Sequence, residues 1–69
     1  MYTEAVRTIL TEGSCSITLI QRRLRLGYAR AARIVDMMER QGAVGPADGS
    51  KPREILVGQD YLDELEASP

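Results

Sequence analysis

Residues Gln21 to Gln41 read QRRLRLGYARAARIVDMMERQ, and the fold turns on how this stretch is divided. Its first thirteen residues, Gln21 to Arg33, carry Arg22, Arg23, Arg25, Arg30 and Arg33 and no acid. The whole chain sums to −1, so this short run at +5 leaves −6 for everything else. Charge segregated in this way implies one electropositive face, which an overall pI near 5.3 conceals. From Gly27 onward the spacing predicts a helix of roughly four turns. At about 100° per residue, Ala31, Ile34, Val35 and Met38 fall on one side, with Tyr28 and Ala32 at its margin. The opposite side collects Ala29, Arg33, Asp36 and Arg40, flanked by Arg30 and Met37. One face is apolar enough to bury, and the other is rich in arginine with a small residue at its N-terminal end. That division is what a helix needs to enter a DNA major groove about 12 Å wide and reach base edges. An ordinary amphipathic surface helix fits this segment equally well, with Arg33 and Asp36 as an i,i+3 ion pair.

Working outward, the 69 residues make one small domain with a modest core. With 43% hydrophobic and 28% charged residues the chain is globular, not disordered. Phe and Trp are absent, so Leu, Ile, Val, Met and three Tyr must fill the interior. The single Cys15 excludes an internal disulfide and reads as a small buried hydrophobe. No His is present to build a zinc-type site. Neither a secretory signal nor a membrane-length apolar run is found, which reads as a cytoplasmic module.

Upstream, Thr3 is placed to cap a first helix running to about Glu12. Ala5, Val6, Ile9 and Leu10 line its inner side, and Gly13 supplies the stop. Ser14 to Ile17 reads as an irregular link or minimal strand. Thr18 with Gln21 fits a capping box, opening a second helix from Leu19 to about Arg25 with Leu19, Ile20 and Leu24 inward. Leu26 and Gly27 are expected to make the corner, glycine tolerating the backbone that a tight turn demands. The third helix is expected to end at Gly42.

Downstream the period changes. Ala43 to Pro46 reads as extended, and Ala47 to Pro52, ADGSKP, as a turn-rich tip in which Asp48-Gly49 favours a hairpin bend. Arg53 to Val57 resumes as a strand. The order helix, helix, helix, hairpin is that of a winged helix-turn-helix, mainly α with a small β-hairpin (α+β). Residues 1–58 are assigned to this unit. Residues 59–69 form an acidic C-terminal tail or short helix, whose Tyr61, Leu62 and Leu65 could cover the first helix.

Catalytic constellations are missing. No His base, no glycine-rich phosphate loop and no paired acids at a useful spacing occur, and Ser14 and Ser16 have no candidate partner for nucleophilic work. A binding module with no cofactor, metal or small-molecule substrate is the remaining class.

The residues carry a more specific signal. Ser16-Ile17-Thr18 through Gln21-Arg22, then Leu26-Gly27-Tyr28-Ala29-Arg30-Ala31-Ala32-Arg33-Ile34-Val35-Asp36-Met37-Met38-Glu39, resembles the gamma domain of FtsK/SpoIIIE DNA translocases. That family shows S-I-S…Q-R…I-G-Y-N-R-A-A-R-I-I-E-x-M-E. Its G-x-V before the wing corresponds to Gly42-Ala43-Val44, and its R-E-V to Arg53-Glu54-Ile55. The resemblance runs from about Glu4 to Val57.

The resemblance implies a winged helix at the C-terminal end of a hexameric, ATP-driven pump of double-stranded DNA, whose motor lies in another domain. Such domains recognise short, G-rich, skewed chromosomal sequences, with several copies side by side on one site, and so orient the pump. In FtsK they also contact the XerD recombinase at the division septum, the parent protein being membrane-anchored. Family base readers map onto Ala29, Arg33 and Asp36. Arg33 matches and its fork suits the two acceptors of a guanine. Asp36 is one methylene shorter than the family Glu and can accept from a cytosine amino group. Ala29 departs from the family Asn, so the base pair beneath it need not be that of other members. The three lie within roughly 60° of one another around the helix. Arg22, Arg23, Arg30, Lys51 and Arg53 are expected phosphate contacts, which orient the domain without reading sequence. Two other readings are a winged helix that docks a recombinase or the motor, and a transcription regulator of another family, which would ordinarily bring its own dimerisation helix.

Overall fold

A computed structural model describes residues 1–49 and 51–67. Ser50 at the turn-rich tip, and Ser68 and Pro69 at the end of the acidic segment, lie outside the described residues. The described residues are mostly helical, with four helices in the order α1 (Tyr2–Glu12), α2 (Ile17–Leu24), α3 (Tyr28–Arg40) and α4 (Gln59–Ala67).

Each helix starts and stops for a local reason, not always the expected one. Helix α1 begins a residue before Thr3, with Met1 at its N-cap position and no side-chain cap. It stops at Gly13, which takes φ 75° and donates its N–H to Ile9 O at 2.8 Å. Helix α2 opens two residues before the Thr18 box, because Ser16 in extended conformation accepts from Leu19 N–H at 3.1 Å. Its end also departs from expectation. Arg25, not Gly27, takes the left-handed conformation (φ 56°, ψ 51°), and Leu26 N–H reaches back to Gln21 O at 3.1 Å. Gly27 itself sits at φ −70°, ψ 165°, a backbone open to any residue, as the N-cap position of α3. Helix α3 closes as a Schellman motif: Gly42 at φ 80° donates to Glu39 O, and Ala43 N–H donates to Met38 O at 2.8 Å.

The interior is one cluster drawn from every helix. Ala5, Val6 and Ile9 of α1 meet Ile20 of α2, Ala31, Ile34, Val35 and Met38 of α3, and Leu62 of α4. Cys15, Ala43 and Val44 complete it, and Leu10, Leu24, Ile55 and Val57 pack on as half-buried neighbours. Among the described residues no polar or charged side chain is buried, so none needs a compensating partner in this core. Burial raises the pKa of the Cys15 thiol, an effect the nearby Arg53 charge opposes.

Between α3 and α4 the backbone is held by isolated antiparallel bridges, Val44 with Ile55, Asp48 with Lys51, and Cys15 with Arg53. Gly45 N–H donates to Glu54 O, Leu56 N–H to Ala43 O, and Arg53 N–H to Cys15 O. Lys51 N–H closes a four-residue turn on Asp48 O at 3.2 Å, with Gly49 at φ 62°. A positive φ at the first central position suits a mirror-image hairpin turn, which explains Gly49.

The acidic segment is a helix laid on α1. Leu62 is 4% exposed, and the Tyr2 and Tyr61 hydroxyls lie 2.8 Å apart. Arg7 pairs with Glu66 further along. Both partnerships advance by five residues on each helix, so α1 and α4 run parallel. Helix α4 touches α1 and, among the described residues, has no contact with α3. The carboxylates of α4, which would repel a DNA backbone, are thereby held on α1 and away from the arginine face of α3.

Candidate nucleic-acid interface

Helix α3 presents the two faces its spacing dictates. Ala31, Ile34, Val35 and Met38 are buried, and Ala29, Arg30, Arg33, Asp36, Met37, Glu39 and Arg40 are exposed. Arg33 points away from the core, and the Arg33–Asp36 ion pair of the ordinary amphipathic alternative is not formed. Arg30, Arg33 and Arg40 have no acid within salt-bridge distance among the described residues. Ala29, Arg33 and Asp36 line one shallow hollow together with Ala32, Met37 and Arg40. Ala29 and Ala32 contribute small side chains to it, and Arg33 and Arg40 contribute guanidinium groups.

The other basic residues divide into free and engaged groups. Arg22, Arg25 and Lys51 are exposed with no acidic partner among the described residues. Arg23 is exposed too, but it pairs with Glu12 of α1 at 2.8 Å. Such an exposed pair is worth little and gives way readily to a stronger anion. Arg53 is different in kind. Its side chain is only 14% exposed, it donates to Glu39 Oε1 at 2.7 Å, and it lies 4.0 Å from Asp36 Oδ1. It therefore faces α3 rather than the tip of the turn.

Lys51 stands over a crevice between the start of α2, the start of α3 and the Asp48–Lys51 turn. Ser16, Thr18, Tyr28 and Arg53 also line it. Tyr28, expected at the margin of the apolar face, is instead 64% exposed and presents its ring to this crevice. Among the described residues no group of His, Cys, Asp or Glu could hold a metal ion. No helix of the described residues is long and apolar enough to cross a membrane.

The outer side of α3 thus combines three arginines without an acidic partner among the described residues and two acids engaged by Arg53, beside a hydrogen-bonded turn. The family model for the Ftsk gamma domain matches residues 1–58. The chain belongs to the FtsK gamma-domain family. It is 51% identical over 65 residues, 94% of its length, to the DNA translocase SpoIIIE of Bacillus subtilis. It is 52% identical over 67 residues, 97% of its length, to the DNA translocase FtsK of Lactiplantibacillus plantarum. With the DNA translocase FtsK of Chlorobaculum tepidum it shares 48% over 66 residues, 94% of its length. The chain spans only 8% of the length of each of these relatives. This gamma domain corresponds to one small part of such translocases, and their remaining length has no counterpart in it.

Sequence reasoning missed one participant in this gamma-domain surface. Glu39 is the carboxylate that captures Arg53, fourteen positions away, and no local spacing signals such a pair. Tyr28, at the margin of the apolar side and in the first turn of α3, lies mostly in solvent.

Proposed function

We propose that this gamma domain is a sequence-specific double-stranded DNA-binding module of a chromosome-partitioning translocase, reading short G-rich skewed motifs to orient movement. The single observation that carries the reading is the outer side of α3, where Arg33 stands exposed and unpaired in one hollow with Ala29 and Asp36. Helices α2 and α3 act as the helix-turn-helix, and the bridged segment from Val44 to Ile55 as its wing. Residues 1–58 bind, and residues 59–69 brace α1 from behind. Arg33 takes a guanine through a bidentate contact, and Asp36 accepts from an exocyclic amine. Ala29 offers a methyl group where other members of the family carry an amide, so it selects by apolar contact with a thymine methyl or not at all. Arg22, Arg30 and Lys51 are placed for phosphates, and Arg23 joins them by leaving Glu12. Several copies share one site, because one module of this size makes few contacts. The setting is the cytoplasmic face of a membrane-anchored parent at cell division, and a XerD-type recombinase is a further partner.

Selection from random duplexes identifies the preferred site, and Arg33→Ala then tests the reading. Affinity for the selected duplex should fall by about 1–3 kcal/mol, roughly 5- to 150-fold, while binding to random duplex stays nearly constant. Equal losses on both duplexes would remove Arg33 as a base reader.

A further inference from the structure

Arg53 is the one arginine of the basic surface that is mostly buried, and its surroundings give it a more particular task than neutralising phosphate. Its backbone N–H donates to Cys15 O at 2.8 Å, fixing its Cα to the link between α1 and α2. One guanidinium nitrogen donates to Glu39 Oε1 at 2.7 Å, and the other lies 4.0 Å from Asp36 Oδ1. Glu39 and Asp36 are three positions apart on α3, so one guanidinium hydrogen-bonds Glu39 and stands within ion-pair range of Asp36 without bonding to it. Asp36 nonetheless stays 64% exposed, leaving it acceptor capacity toward a ligand.

We infer that Arg53 is a positioning residue that sets the base preference of Asp36. The inference rests on the proposed base reading by α3. A short aspartate on a helix face has several rotamers, and a base edge is discriminated only if the carboxylate waits in one of them. Arg53 limits that choice from one side, with Glu39 holding the guanidinium in place. Its charge also offsets two acids that would otherwise repel the duplex from the middle of an arginine face. A guanidinium already bonded to a carboxylate and turned toward α3 is poorly placed to serve as a separate phosphate contact.

Arg53→Lys tests this, because lysine keeps the charge but lacks the planar fork that turns one nitrogen to Glu39 and the other toward Asp36. The tightest duplex selected from a random pool by the unmodified domain serves as probe, with its single-base-pair variants and a random duplex beside it. Circular dichroism first confirms the fold, and affinities are measured well below the unfolding temperature. The expected result is a loss of about 3- to 30-fold in discrimination, confined to one base pair. Binding to random duplex and the salt dependence should be unchanged. That same base pair should lose discrimination in Asp36→Asn, with Arg53→Lys adding little further in the double variant. Glu39→Gln is the second probe: loosening Arg53 should lower discrimination at the same base pair. If Arg53 were instead a phosphate contact, Glu39→Gln would leave discrimination at that base pair intact, or Arg53→Lys would be almost silent there. Either pattern overturns the inference while leaving α3 as the reader. A selection that returns no preferred duplex overturns both.

Discussion

Leu62→Ala probes whether α4 belongs to the cooperative unit and whether the basic face is independent of it. Leu62 is 4% exposed and is the one fully buried side chain of α4, lying in the same cluster as Val6 and Ile9. Truncating a buried leucine costs about 2–5 kcal/mol, depending on how far the surroundings collapse. Here the helix carrying it is a nine-residue element packed on α1 alone, and it can settle inward, so a value of about 2.5 kcal/mol is expected. At about 2.1 cal/mol/K per residue, a domain of this length has an unfolding entropy of about 0.15 kcal/mol/K, which converts the loss into a fall of about 17 °C in Tm. Thermal unfolding followed at 222 nm measures it. On the folded protein at 10 °C, affinity for the selected duplex should be unchanged, because α4 does not reach α3. A fall below about 5 °C would show that α4 adds little to the core. A change of more than about threefold in folded-state affinity would show a coupling between α4 and the basic face that the packing does not provide.

Other expectations follow from single residues. Arg25→Gly should stabilise the domain by about 0.5–1 kcal/mol in urea titration, since glycine takes the left-handed corner between α2 and α3 without strain; a loss of stability would contradict the assigned corner. With about four phosphates neutralised per module, log K against log salt should have a slope near −3.6, and Lys51→Ala should make it shallower by about 0.9 while weakening selected and random duplexes alike. Burial, followed by the hydrogen bond to Tyr61, raises the Tyr2 pKa above its ordinary 10.0, and burial raises that of Cys15 above 9.0. Both groups are held neutral in the fold. Their contribution is therefore complete below about pH 9 and is lost progressively as the unfolded chain ionises above it. The urea midpoint should fall between pH 9 and 11, and less steeply in Tyr2→Phe; identical slopes would dismiss the Tyr2 contribution.

Helix α3 was legible because both of its faces are written in one periodic stretch. Ala31, Ile34, Val35 and Met38 are buried together, and Ala29, Arg33 and Asp36 share one hollow, as a 3.6-residue repeat requires. The stops at Gly13 and Gly42 were legible too, because both glycines adopt positive φ. The start of α2 was not. Ser16 and Thr18 are both acceptable caps, and Ser16 is the one that caps, next to the bridge that fixes Cys15 beside Arg53, a contact between distant residues. Propensity puts the corner at Gly27, yet α2 stops two residues earlier than a glycine corner needs and Arg25 takes the left-handed conformation. Arg53 illustrates the same limit at the site. Its place beside the turn was readable, but its orientation toward Glu39 and Asp36 depends on how the bridged segment returns across α3.

Parallel packing of α1 and α4 has a practical outcome. Tyr2 and Tyr61 meet at their hydroxyls near the start of each helix, and Ala67 follows under two turns later, so the start of α1 and the end of α4 lie at opposite ends of the pair. Labels attached at Met1 and at Ala67 would be held apart by the packed helices, so the distance between them would report directly whether the acidic helix stays docked.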